Sequence, residues 1–120
     1  MDIVEVLKAL ADETRIRILN VLHKEILCVC DLEEILELSQ SNASRHLTKL
    51  KSAKLITSEK QAQWVYYRVD EKILEKYSFV KELLEKELVK SSQCQKDFTR
   101  LKKYKDLGGN CENTIKINDK

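Results

Sequence analysis

The sequence predicts a mainly α-helical chain with one small β-hairpin, arranged as a winged helix-turn-helix. Three observations lead there. The chain has no proline and only two glycines in 120 residues, so helices can run uninterrupted and turns must use other residues. Apolar side chains recur at helical spacing from Val4 to Leu50 and again beyond Asp70. Between Ile56 and Val69 the period drops to two.

Each element follows from local pattern. Val4, Leu7 and Leu10 mark a first helix, and Asp12 is placed to cap a second that carries Ile16, Leu19 and Leu22 on one face. A third helical segment runs over residues 28–38, with Leu32, Ile35 and Leu36 inward and Glu33, Glu34 and Glu37 outward. Ser39 suits the N-cap of a fourth, whose apolar stripe is Ala43, Leu47 and Leu50 and ends at Lys54. The opposite face, Ser41, Ser44, Arg45, Thr48 and Lys49, holds only short polar and basic groups. Two such helices joined at Leu38 and Ser39 form a helix-turn-helix, and this outer chemistry suits a DNA major groove.

Ile56, Ser58 and Lys60 then alternate with their neighbours, and Trp64 to Val69 is rich in strand-favouring residues. A hairpin there is a wing. Its tip, Gln61-Ala62-Gln63, has no Asn-Gly or Asp-Gly, which predicts a loose loop. Trp64, Tyr66 and Tyr67 are expected to anchor the hairpin by packing. From Asp70 onward Ile73, Tyr77, Val80, Leu84 and Leu88 make a narrow helical seam, fit to pack on its own domain or on a symmetry mate. Phe98, Leu101 and Leu107 can continue a helix, which gives a helical extension over residues 91–107. Residues 108–120 read as a flexible tail.

Composition narrows the function classes. With 35% charged and 42% apolar residues a core can form, yet no apolar run approaches the roughly 20 residues of a membrane span. The start, Met1-Asp2-Ile3-Val4-Glu5, has no export signal, so a cytoplasmic protein is expected, with no membrane partner. In that reducing setting the four cysteines are expected as free thiols, metal ligands or redox switches in preference to structural cross-links. The net charge of +2 conceals a division. Residues 1–38 carry nine acidic and four basic groups, whereas residues 39–70 carry two and six. A polyanion-binding surface raises local potential in this way, although a lysine-rich solvated face gives the same count. A thiol enzyme fits poorly: there is no Cys-x-x-Cys, no strand-helix-strand unit and no phosphate-cradling glycine loop.

At this point the chain resembles the ArsR/SmtB family of dimeric winged-helix repressors, over about residues 4–90. Residues 7–19 (LKALADETRIRIL) look like the family's opening segment, and residues 27–32 (LCVCDL) like its metal-binding box. Residues 38–47 (LSQSNASRHL) look like the start of its recognition helix, with WVYYR following at 64–68. The resemblance implies a homodimer whose DNA-binding and dimerisation domain occupies residues 1–90. It implies binding to an inverted-repeat operator when ligand-free, and release when a thiophilic ion binds; no cofactor is required. Matched by position, Gln40, Ser41, Asn42, Ser44, Arg45, His46 and Lys49 are the DNA-facing candidates. The family's wing often has more arginine and a glycine at its tip, where Lys60, Gln61 and Gln63 stand here. Glu37 occupies a turn position where related sequences often have glycine; if left-handed, it costs about 1 kcal/mol.

The same resemblance makes Cys28 and Cys30 metal ligands. At the entry to the third helix both thiols lie near unpaired amides and the positive helix end, which favours thiolate. His23 and His46 are the only histidines and neither lies on the last helix, so the family's zinc site is absent. The N-terminus has no cysteine, so its cadmium and lead site is incomplete. What remains resembles the arsenic and antimony sensors, with As(III) or Sb(III) as the effector held by sulfur. Glu33 stands where the best-known version has a third cysteine. That leaves two thiolates alone, or a third from Cys94, the first choice, or from Cys111. A cadmium/lead-type or thiol-redox-responsive repressor of the same fold is the alternative. Residues two apart on an intact helix point about 200° apart, so Cys28 must lie outside the helix, or its first turn must unwind, for both thiols to grip one ion.

Overall fold

The computed structural model describes residues 1–117; the last part of the expected tail, residues 118–120, lies outside them. Helices α1 (Asp2–Leu10), α2 (Glu13–Leu22), α3 (Val29–Leu36) and α4 (Gln40–Ser52) precede the antiparallel strands β1 (Ile56–Gln61) and β2 (Trp64–Val69). Then come α5 (Glu71–Lys76), α6 (Ser78–Glu82) and α7 (Ser92–Asp106). This is a winged helix-turn-helix. Its core gathers Ile18 and Leu19 of α2, Leu32, Ile35 and Leu36 of α3, Leu47 and Leu50 of α4, and Leu84, Leu101 and Tyr104 from the C-terminal half. Among the described residues no helix is long and apolar enough to cross a membrane.

Side-chain caps set the starts of α2 and α4. The Asp12 side chain accepts from the Arg15 amide at 3.0 Å, and the Ser39 hydroxyl accepts from the Asn42 amide at 3.2 Å. Between α3 and α4, Glu37 is left-handed at φ 57°. That conformation turns the chain from one helix into the next. Lys54, at φ 64°, ends α4 in the same way, and the Leu55 amide closes back on the Leu50 carbonyl at 3.0 Å.

The wing pairs Ile56 with Val69 through to Gln61 with Trp64. Only Ala62 and Gln63 then form its tip, so the loose loop expected there is instead a two-residue turn. Ala62 takes φ 56° at the position where a type II′ turn favours glycine. The pairing of six residues on each strand holds that turn closed. Ahead of α3, Leu27 bridges to β2: its amide donates to the Tyr67 carbonyl at 3.1 Å and its carbonyl accepts from the Tyr67 amide at 2.7 Å. The residue before Cys28 is thereby fixed to the wing.

Helix α1 turns Val6 and Ala9 inward and leaves Val4 and Leu7 exposed. Two other expectations are corrected. The seam from Ile73 to Leu88 is no single helix, because Tyr77 is extended between α5 and α6, and a π turn over Leu83–Glu87 follows. The π turn shifts the phase and still buries Val80, Leu84 and Leu88. Finally, residues 108–117 are not a loose tail. Gly109 and Cys111 are buried, and Ile115 and Ile117 pack against the core.

Candidate functional site

Cys28 is the N-cap of α3 and has extended backbone, φ −101° and ψ 176°. It therefore lies outside the helix, which is the arrangement that frees its thiol from the 200° separation. Its amide donates to Asp31 Oδ2 at 3.0 Å, the reciprocal half of a capping box. Cys30 sits half-buried in the first turn of α3. Burial, then Glu33 and Asp31, push its thiol pKa up, so the expected lowering by the helix end is overridden.

The cluster around Cys28 is completed from the far end of the chain. Cys28 and Cys111 are joined as a disulfide, with Cα atoms 6.1 Å apart, where sequence alone favoured uncross-linked thiols. Both sulfurs lie beside Asp31 Oδ2, at 3.4 and 3.6 Å. Asp31 is 1% exposed, Cys28 3% and Cys111 4%. Ligand atoms of these three residues fall within 4.8 Å of one another. The Tyr104 hydroxyl donates to Asp31 Oδ1 at 2.5 Å. Burial and that carboxylate raise the Tyr104 pKa, so it stays a neutral donor.

Cys94, the first choice for a third sulfur, is not in this cluster. It is buried near the start of α7, where its carbonyl accepts from the Asn20 side chain at 3.1 Å and its thiol is pushed up by burial. It packs α7 on α2. Asp31, Tyr104 and Gly109 were missed from sequence. An aspartate three residues after an N-cap was the available signal for the first of them.

Helix α7 also grips the other end of α3. Arg100 donates to the carbonyls of Ile35 and Glu34 at 2.7 and 2.8 Å, and Arg17 to that of Leu36 at 3.2 Å. These are carbonyls that a helix end leaves without intrahelical partners. Arg17 is itself held by a two-point pair with Asp97, at 2.8 and 2.9 Å. The clamp lies one turn before the recognition helix.

On α4, Gln40, Ser41, Asn42, Arg45 and Lys49 are exposed and Ser44 is half-buried. Gln40 donates to the Ser44 hydroxyl at 3.0 Å and Arg45 to Asn42 Oδ1 at 2.9 Å, which pre-orients this outer face. His46 does not share it. It is 6% exposed, with Nδ1 3.3 Å from Arg15 Nη1 and 3.9 Å from Asp12 Oδ1, so it ties α4 to α2. Its spacing explains this: 43, 46, 47 and 50 form one inward stripe. Lys51, also missed, reaches Ser58 of the wing at 2.6 Å.

This geometry agrees with comparisons to known proteins. Residues 12–58 match the family model described as bacterial regulatory protein, arsR family. The chain is 48% identical over 65 residues to the arsenic resistance transcriptional regulator ArsR1 of Pseudomonas putida, covering 53% of this chain and 51% of that one. It thus spans about half of that relative. It is 42% identical over 87 residues to a cadmium resistance transcriptional regulatory protein CadC homolog of Staphylococcus aureus, covering 72% and 67%. Among solved structures, it is similar to a homodimeric winged helix-turn-helix DNA-binding domain of Mycobacterium bovis, Mb0332, described as a possible ArsR-family transcriptional regulator. The TM-score is 0.62 at 25% identity, over 76% of this chain and 85% of that one. The reading head, the wing and the matched segments together place the chain in the ArsR family of bacterial regulatory proteins, which are regulators of transcription and not enzymes.

Proposed function

We propose that the chain is a homodimeric repressor that holds an inverted-repeat operator when ligand-free and lets go when Cys28 and Cys30 take up trivalent arsenic or antimony. The observation that carries this reading is the position of Cys28, outside α3 and one residue from the bridge to the wing. Gln40, Ser41, Asn42, Ser44, Arg45 and Lys49 meet the operator, with base edges read by Arg45 and Asn42 and phosphates neutralised by Lys49. Two-fold symmetry sets two such helices about one DNA turn apart. Pulling Cys28 and Cys30 onto one ion displaces the start of α3, which is bonded to the wing on one side and leads into α4 on the other. DNA and ion then oppose each other reciprocally, and each tenfold loss of operator affinity needs about 1.4 kcal/mol of coupling.

Gel-shift titration of the reduced protein with arsenite, antimonite and cadmium tests this. Arsenite and antimonite are expected to release the wild type and not a Cys28→Ser, Cys30→Ser double variant. Equal release of both proteins would refute the reading, and release by cadmium alone would reassign the effector. A second reading is favoured by the Cys28–Cys111 disulfide itself. In it, oxidation of those thiols is the signal, and peroxide releases the operator reversibly while arsenite does nothing.

A further inference from the structure

We propose that Cys111 is the third sulfur of the effector site, and that residues 107–117 are a strap that delivers it, so that reduced Cys28, Cys30 and Cys111 together enclose one arsenic(III) ion. This rests on the reading of Cys28 and Cys30 given above and names the ligand that completes it. The strap begins where α7 ends. Gly108, left-handed at φ 87°, reverses the chain, and the Gly109 amide donates to the Tyr104 carbonyl at 2.9 Å. Gly109 lies flat on the Tyr104 side chain, where even one added carbon would collide. The Asn110 side chain accepts from the amides of Glu112 and Asn113, both at 2.9 Å, and this tight turn presents Cys111 inward. Further on, the Ile117 amide donates to Glu34 Oε2 at 3.0 Å and Lys116 pairs with Glu34 Oε1 at 3.4 Å. The strap is thus fastened to α7 before Cys111 and to α3 after it.

Its position answers a chemical need. Glu33 offers a hard carboxylate that arsenic(III) binds poorly, whereas Cys111 already touches Cys28 and can share an ion with it. Cys30, in the first turn of α3, lies outside the cluster of Cys28, Asp31 and Cys111 ligand atoms and turns toward it as the site closes on the ion, while the Tyr104 hydroxyl holds Asp31 beside the two sulfurs. The disulfide is the oxidised form of the same site. A low-molecular-weight dithiol opens it by thiol exchange, passing two electrons and two protons to Cys28 and Cys111 and becoming a disulfide itself. Arsenous acid then exchanges its three As–O bonds for three As–S bonds. Each thiol proton leaves with a hydroxide as water, and the arsenic stays trivalent. Because Tyr104 and Arg100 lie on α7 and hold the two ends of α3, closing the strap on an ion acts on the element that leads into α4.

X-ray absorption of the reduced full-length chain with arsenite counts the sulfur neighbours. Three are expected in the wild type and in Cys94→Ser, and two in Cys111→Ser, which should also need at least tenfold more arsenite for half-release of the operator. Operator affinity without arsenite, expected within twofold of wild type, reports that the variant is folded. A measurement without any variant runs beside it: bound arsenite should slow alkylation of wild-type Cys111, read by mass spectrometry. Three sulfurs persisting in Cys111→Ser, or unchanged alkylation of Cys111 in the arsenic-loaded wild type, would overturn the strap as ligand and leave the Cys28 and Cys30 reading standing. No arsenic uptake by the wild type would overturn both.

Discussion

A methyl group at position 109 tests the seating of the strap on Tyr104. In Gly109→Ala the new carbon would sit 2.6 Å from Tyr104 Cζ and 2.7 Å from both Cε atoms. Carbon atoms rest at about 3.5 Å or more, so the aromatic side chain or the strap must retreat by roughly 0.9 Å. Tyr104 is wholly buried and its hydroxyl is engaged by Asp31, so it has nowhere to go without giving up that bond. Overpacking costs about 1–3 kcal/mol, and loss of a hydrogen bond to a charged group about 1.5–3 kcal/mol. The expected destabilisation is therefore about 2.5–6 kcal/mol in urea unfolding of the reduced protein, with faster alkylation of Cys111. Gly108→Ala is the control. Nothing lies within 4 Å of its added carbon, but its φ of 87° is unfavourable for alanine, so it should cost only about 1 kcal/mol. A Gly109→Ala protein within about 0.5 kcal/mol of wild type, or less affected than Gly108→Ala, would refute the packing described for the strap.

Three further outcomes are expected. Arg17→Ala leaves the buried Asp97 carboxylate with Gln93 as its side-chain partner among the described residues and removes a bond to Leu36, so unfolding by urea should show a loss of about 3 kcal/mol. His46 titrates below its ordinary 6.5, chiefly because it is buried and then because Arg45, Arg15 and Lys49 outweigh part of the help from Asp12. The unfolded chain takes up that proton first, so stability is full above pH 6.5 and falls as pH drops below it toward the folded value. His46→Gln should flatten the decline in urea midpoint as pH falls below 6.5, and an unchanged slope would count against the assignment. Lys49→Ala should weaken binding to all duplexes alike and reduce the slope of log affinity against log salt by about 1, measured by fluorescence anisotropy.

What sequence disclosed was chiefly what is local. Asp12 and Ser39 cap their helices because a cap needs only a side chain and an amide three residues on. The position of Cys28 outside α3 is one of the two arrangements that helix geometry left open for both thiols to grip one ion. His46 was misplaced by its match to the family's recognition helix, although its spacing with Ala43, Leu47 and Leu50 marked it as inward. Tyr77 had the right spacing for a continuous helix, and no local signal announced the extended residue and π turn that carry the phase past it. The tail was misjudged for a different reason. Its polar composition reads as disorder, and the pairing of Cys111 with Cys28 spans a separation of 83 residues that no periodicity encodes. The available hints were Gly108-Gly109, which reverse the chain, and the alternation of Ile115 and Ile117.

That long span also makes the polypeptide a covalent noose. Residues from α3 to the strap, with the whole DNA-reading apparatus among them, lie inside the closed loop, and α1 and α2 form its free stem. In the chain-entropy model a closure of this size handicaps the denatured ensemble by about 4–5 kcal/mol. A domain of this size has only about 5–15 kcal/mol in total, so the thiol poise of its surroundings governs how much regulator survives folded, whatever effector is present.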